Sequence, residues 1–137
     1  MNRVLLVEDD PDDLELARLA FARGDFSSSI DVARDGAEAL DYLLSPDREP
    51  PQVVLLDIKL PLVDGIDVLR RVKADERTRH IPVVMLTSSA LDRDLHACYE
   101  LGANSYIVKP VDMEQFMAAV NNIGVYWLSL NLTETHS

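Results

Sequence analysis

The chain has 137 residues, with 24 acidic side chains against 13 basic ones and a formal charge of −11 at pH 7. Neutralising phosphates requires Lys and Arg in excess, so this balance argues against direct binding to nucleic acid or an anionic membrane and points to protein partners. A single cysteine, Cys98, excludes an internal disulfide framework or cysteine-based metal site, and a chain of this size favours one domain that buries roughly two-thirds of its unfolded surface.

Taken in chain order, strands and helices alternate strictly. Residues 3–7, 30–33, 53–56, 83–86 and 105–108 read as strands, rich in Val, Ile and Leu and apolar enough for burial on both faces. Asp10-Pro11 supplies an N-cap and a first-position proline for a helix reaching about Arg23, with Asp12 and Asp13 where the helix dipole favours negative charge and Gly24 at its end. Asp35 caps a second helix from Gly36 to Leu44, and the prolines of the following SPDREPPQ segment prevent regular structure there. A third helix begins near Asp64 and aligns Val68, Leu69 and Val72 on one face; a fourth runs from Leu91 to Leu101 and stops at Gly102. Asp112 and Gln115 form a capping box that opens a fifth, with Phe116, Met117, Val120 and Ile123 at helical spacing. Such alternation predicts an α/β fold, a doubly wound parallel sheet of five strands with helices on both faces.

Four of the strands end in residues suited to handling a phosphoryl group. VLLV precedes Glu8 and Asp9, VVLL precedes Asp57, VVML precedes Thr87, and YIV precedes Lys109. In a parallel sheet these endings meet at one edge, where open α/β sheets bind ligands. Three carboxylates brought within a few ångströms repel one another unless a cation sits among them, and oxygen donors of this kind suit magnesium. Taken singly, each residue has an ordinary reading: Asp57 as a helix cap, Lys109 as a solvated strand end, Thr87 as a loop hydroxyl. The four together, in this order, favour the pocket.

The acidic pair in LLVEDD, the motif DIKLPLVDG starting at Asp57, the Thr87-Ser88 pair and Lys109-Pro110 resemble the receiver domains of two-component response regulators, from about Arg3 to about Val120. That resemblance implies the flavodoxin/CheY-like strand order 2-1-3-4-5. It also implies Mg2+ bound by Asp9, Asp57 and the backbone carbonyl of Lys59, with Glu8 acting through a water. Asp10, directly after the acidic pair and before Pro11, reads as a cap. Asp57 becomes the acceptor of a phosphoryl group from a sensor histidine kinase. Lys109 pairs with a phosphoryl oxygen, Thr87 and Ser88 face the group, and Lys109-Pro110 is cis. Tyr106, three residues before the lysine, takes the switch-aromatic position, against the plainer reading of a partly buried aromatic. His80 and His96 read as surface residues and Cys98 as helix packing. Lys59 and Ser89, which flank the acceptor site, offer no carboxylate or amide to orient a hydrolytic water, so slow self-dephosphorylation is expected.

The receiver body is expected to span residues 1–123 and an extension residues 124–137, which carries Tyr126 and Trp127. These aromatics either fold back on their own domain or contact a protein partner. With the VEDDPDD start, the extension looks like stand-alone regulators paired with phytochrome-type kinases. A homodimer through the fourth helix, fifth strand and fifth helix is expected, with Ile123, Val125, Leu128 and Leu130 of the tail joining it. No leader segment opens the sequence and no apolar run approaches the ~20 residues of a membrane span, so a cytoplasmic location is expected and the Asn131-Leu132-Thr133 sequon is a chance match. A phosphorelay intermediate or phosphate sink remains an alternative role. A phosphatase resembling haloacid dehalogenases would need an acid two residues after the nucleophile, where Lys59 stands, and a pseudo-receiver would lack part of the pocket.

Overall fold

The computed structural model describes residues 3–23 and 30–122. Its elements alternate as β1 (Val4–Val7), α1 (Pro11–Arg23), β2 (Ile30–Ala33), α2 (Gly36–Leu44), β3 (Val53–Asp57), α3 (Gly65–Ala74), β4 (Val83–Thr87), α4 (Asp94–Glu100), β5 (Ser105–Val108) and α5 (Met113–Asn122). The five strands form one parallel sheet in the order β2-β1-β3-β4-β5, as the resemblance implies.

Successive strand residues point to opposite faces, and the alternation sorts the core into two. Leu5, Val7, Val54, Leu56, Val83 and Met85 meet Leu40, Leu43, Val68, Leu69, Leu95 and Cys98 from α2, α3 and α4. On the other face Val4, Leu6, Val53, Leu55, Val84, Leu86 and Ile107 meet Leu14, Ala17, Phe21, Phe116 and Ala119 from α1 and α5. There Phe21 and Phe116 pack edge-to-face with ring centroids 4.8 Å apart. Cys98 is fully buried, and burial pushes its thiol up to about 11, with nearby Asp94 and Asp92 adding; it is packing, as expected.

Burial on both faces holds for β1, β3 and β4 but not for β2 and β5, which are only partly buried. Those two are the sheet edges, covered less completely by the helices. The fourth helix also begins later than Leu91. The Ser89 hydroxyl accepts the Leu91 N–H at 3.1 Å and the Asp92 carboxylate accepts the Asp94 N–H at 2.9 Å, so side chains satisfy donors that a helix would otherwise pair, and the helix starts at Asp94. Its end matches the expectation: Gly102, with φ +107°, lets its own N–H reach the Tyr99 carbonyl and the Ala103 N–H the Cys98 carbonyl. The Asp35 cap is present, accepting the Glu38 N–H at 2.7 Å.

Half of the capping box forms. Asp112 accepts the Gln115 N–H at 2.8 Å, but the Gln115 amide turns to the backbone of Val108, the last residue of β5. Expected features at Gly24, Ile123, Val125, Tyr126, Trp127, Leu128, Leu130 and the sequon lie outside the described residues.

Candidate functional site

Parallel strands deliver Glu8 and Asp9 just past β1, Asp57 at the end of β3, Thr87 at the end of β4 and Lys109 just past β5. The strand order changes direction between β1 and β3, which opens a crevice at these ends. A cavity of about 210 Å³ lies there, lined by Asp9, Asp57, Lys59, Thr87, Asp92 and Lys109 among others; Ser88 also borders it. One floor of the site depends on a glycine. A Cβ on Gly65 would stand 2.0 Å from the Asp57 carbonyl oxygen, so only glycine lets α3 start against the end of β3 and donate its N–H to the Ile58 carbonyl at 3.0 Å. A larger groove of about 540 Å³ between α1 and β2 collects none of the strand-end residues.

Glu8 and Asp57 are buried and Asp9 is exposed, and carboxylate oxygens from all three lie within 4.8 Å of one another. Burial pushes the Glu8 carboxyl up to about 8. The hydrogen bond to Asp57 and its charge add to this, against a smaller downward pull from the Asp10 N–H and Lys109. Such a group stays protonated near neutrality unless a cation compensates it, and the all-oxygen donor set fits a hard divalent ion such as Mg2+. Asp10 is spent elsewhere: its Oδ1 accepts the N–H groups of Asp12 at 2.8 Å and Asp13 at 3.2 Å, the cap its position suggests.

Lys109 crosses the crevice. Its Nζ stands 2.9 Å from Asp57 Oδ2, 3.2 Å from Glu8 Oε1 and 3.1 Å from Asp13 Oδ2. Burial would lower its pKa, but the hydrogen bond and charge of Asp57, followed by Glu8 and Asp13, raise it above the ordinary lysine value. The other Asp57 oxygen accepts the Lys59 N–H at 3.2 Å. The Lys59 side chain points away, with Nζ 3.7 Å from Asp94. The Lys109-Pro110 bond is cis.

The Thr87 hydroxyl is bonded within its own turn rather than to Asp57. Its Oγ1 lies 3.0 Å from the Ser89 carbonyl and 3.3 Å from Asp92 Oδ2. Tyr106, on the α4 side of β5, is 37% exposed and meets Tyr99 edge-to-face at 6.4 Å. His96 lies on the surface, paired with Glu100 at 2.9 Å.

Three participants escaped the sequence reading. Asp13 looked like a dipole-favouring acid, Asp92 an unremarkable acid inside a helix, and Gln115 half of a capping box. Gln115 Oε1 accepts the Val108 N–H at 3.1 Å, while Nε2 donates to the Val108 carbonyl at 3.1 Å and to the Pro110 carbonyl at 3.2 Å. The amide thus pairs an edge strand's free backbone and braces the turn that presents Lys109. The available signal was topological: an edge strand leaves both groups open.

Known proteins are similar to this chain in sequence and fold. The chain is 45% identical over 131 residues to the probable methanogenesis regulatory protein FilR2 of Methanothrix harundinacea (strain 6Ac), covering 93% of this chain and 84% of that one. The structure of the bacteriophytochrome response regulator AtBRR is 50% identical, with a TM-score of 0.84 over 93% of this chain and 95% of that one. The receiver domain of sensor histidine kinase PA1611 from Pseudomonas aeruginosa PAO1, solved with a magnesium ion coordinated in its active site cleft, is 29% identical, with a TM-score of 0.75 over 90% and 98% of the two chains. The family model of the response regulator receiver domain matches residues 4–121, and with the sheet order and strand-end residues described above, the chain belongs to the response regulator receiver domain family.

Proposed function

We propose that Asp57 accepts a phosphoryl group from a phosphohistidine on a sensor histidine kinase, and that the phosphorylated protein signals by a conformational switch to protein partners. The observation that carries this reading is a carboxylate only 4% exposed, with one oxygen on the Lys109 ammonium and the other on the Lys59 N–H, facing a cavity with room for a phosphoryl group. An Asp57 oxygen attacks phosphorus, an O–P bond forms as the P–N bond breaks, and the departing imidazole keeps the electron pair. Mg2+ held by Asp9, Asp57 and the Lys59 backbone carbonyl, with Glu8 reaching it through a water, would neutralise charge on the incoming group. Lys109 then pairs with a phosphoryl oxygen, the Thr87 hydroxyl turns towards it beside Ser88, and Tyr106 moves inward. Couplings of this kind are about 1–3 kcal/mol, so phosphorylation biases an existing equilibrium.

Likeness to the bacteriophytochrome response regulator AtBRR supports a phytochrome-type kinase as donor, and the proposed meeting place is the cytoplasm. Exposed Tyr99 and Tyr106, side by side on α4 and β5, support a homodimer through α4, β5 and α5. In that dimer the extension of residues 124–137 reaches the partner through Tyr126 and Trp127. The test of the acceptor is acetyl phosphate with magnesium, read by intact mass. Wild type should gain one phosphoryl group and Asp57→Asn none; undiminished phosphorylation of the variant removes Asp57 from the role.

A further inference from the structure

We infer that Asp92 is a positioning residue: it holds the Thr87 hydroxyl away from the phosphoryl site and ties its release to the first turn of α4. The inference rests on the reading of Asp57 as acceptor. Thr87 is 2% exposed, and its hydroxyl has two acceptors, the Ser89 carbonyl at 3.0 Å and Asp92 Oδ2 at 3.3 Å, while Oγ1 accepts the Ser89 N–H at 3.3 Å. The other Asp92 oxygen, Oδ1, accepts the N–H of Asp94, the first residue of α4, at 2.9 Å. One half-buried carboxylate therefore joins the hydroxyl that must move to the helix that must respond. A residue that only capped α4 would need Oδ1 alone; Oδ2 on Thr87 is the additional contact.

Asp92 also lines the cavity in front of Asp57. The acyl phosphate carries about −1.5 to −2 of charge where the Asp57 carboxylate carried a single one, and the added charge repels the Asp92 carboxylate across the same space. For Thr87 to donate to a phosphoryl oxygen, its hydroxyl must leave Asp92 and Ser89. As Asp92 withdraws, the Asp94 N–H loses its acceptor, and the start of α4 is released together with the hydroxyl. Asp94 itself reaches Lys59 on the loop after β3 at 3.7 Å, so the freed turn borders the acceptor from that side too.

Asp92→Asn separates the two jobs. It retains Oδ1 for the Asp94 N–H and places an NH2 group, which cannot accept, against Thr87. The experiment titrates beryllofluoride with magnesium into the full chain, followed by amide NMR, for wild type, Asp92→Asn, Thr87→Ala and the double variant. Asp92→Asn should bind roughly three- to tenfold more tightly. Before any beryllofluoride is added, its residue 87 and Ser89 amide resonances should already lie displaced towards the bound positions. On the Thr87→Ala background the same substitution should change affinity by less than about twofold, because no hydroxyl remains to be released. Equal affinity of wild type and Asp92→Asn overturns the inference, as does an equal gain with and without the Thr87 hydroxyl, which would be charge relief alone. Asp92→Ala should also speed hydrogen exchange at Asp94; unchanged exchange overturns the tie to α4. A wild type that binds no beryllofluoride overturns the acceptor reading and the inference with it, whereas binding that is indifferent to Asp92 overturns the inference alone.

Discussion

Replacing Glu8 by Gln should stabilise the metal-free protein at alkaline pH and leave it nearly unchanged in acid. The Glu8 carboxyl titrates at about 8 in the folded chain against an ordinary 4.5, so between those values the fold keeps a proton that the unfolded chain has released. Linkage then fixes the sign: this contribution to stability is fully present below 4.5 and is lost as pH rises towards 8. At ~1.4 kcal/mol per pH unit the ceiling is about 5 kcal/mol. The pull of Lys109 at 3.2 Å and of the Asp10 N–H at 3.2 Å on the ionised carboxylate is already contained in that value, but water on the exposed Asp9 side of the cluster screens the ionised form and lowers the cost. A net gain of about 2 kcal/mol for the variant remains, or about 6 °C in Tm for a chain of this size. Thermal unfolding of both proteins at about pH 5 and about pH 8.5, in chelator and in excess magnesium, measures it. The gap should open at the higher pH in chelator, close in acid, and close or reverse with magnesium, because a bound cation relieves the wild type. A variant less stable than wild type at the higher pH in chelator, or a gap of equal size at both pH values, refutes the reasoning.

Other substitutions probe different parts of the site. Gln115→Ala removes the amide that braces β5 and the Lys109 turn; it should cost about 1–2 kcal/mol in urea unfolding and slow acetyl phosphate labelling, and unchanged values in both would make the bracing idle. Lys59 presents an exposed ammonium paired with Asp94 rather than a group that orients water, so Lys59→Asn should shorten the lifetime of the phosphorylated form; faster loss from wild type than from the variant contradicts this. Lys109→Ala and Thr87→Ala should still bind magnesium, followed by NMR shifts at the acidic pair, yet fail to pass the phosphorylation-induced change to α4. Truncation before Tyr126 should weaken self-association in sedimentation at several concentrations; an intact chain that stays monomeric at high micromolar concentration, with and without beryllofluoride, rules out the dimer.

Periodicity located every strand within about a residue because β1, β3 and β4 are buried on both faces, and a continuous run of Val, Leu and Ile ending in an acid or hydroxyl leaves few alternatives. The sheet order was not legible from periodicity and came from the family resemblance. What pattern could not reach were contacts decided by two or three side chains at once. Leu91 to Arg93 carry helical composition, yet Ser89 and Asp92 claim the local N–H groups and delay α4. Gln115 fits a capping box, yet an edge strand only a few residues earlier offers it a better donor and acceptor.

The acids of the crevice suggest why those unread contacts matter to a switch. Among the described residues, Glu8, Asp13 and Asp57 all reach the Lys109 ammonium, and Asp9 and Asp92 face the same cavity. An arrangement with more carboxylates than cations is poorly compensated, which burial and the Asp57 charge make visible at Glu8. In the proposed reaction a phosphoryl group on Asp57 replaces one carboxylate by a larger and more negative acceptor, which would give Lys109 and the Thr87 hydroxyl a better partner and cost Asp92 one. In the proposed switch this event redistributes the hydrogen bonds of Thr87, which lead through Asp92 to the start of α4, and α4 meets β5 through the edge-to-face rings of Tyr99 and Tyr106. On the proposed reading, phosphoryl binding at the sheet edge and a response on the α4 side are two consequences of one charge imbalance rather than separate devices.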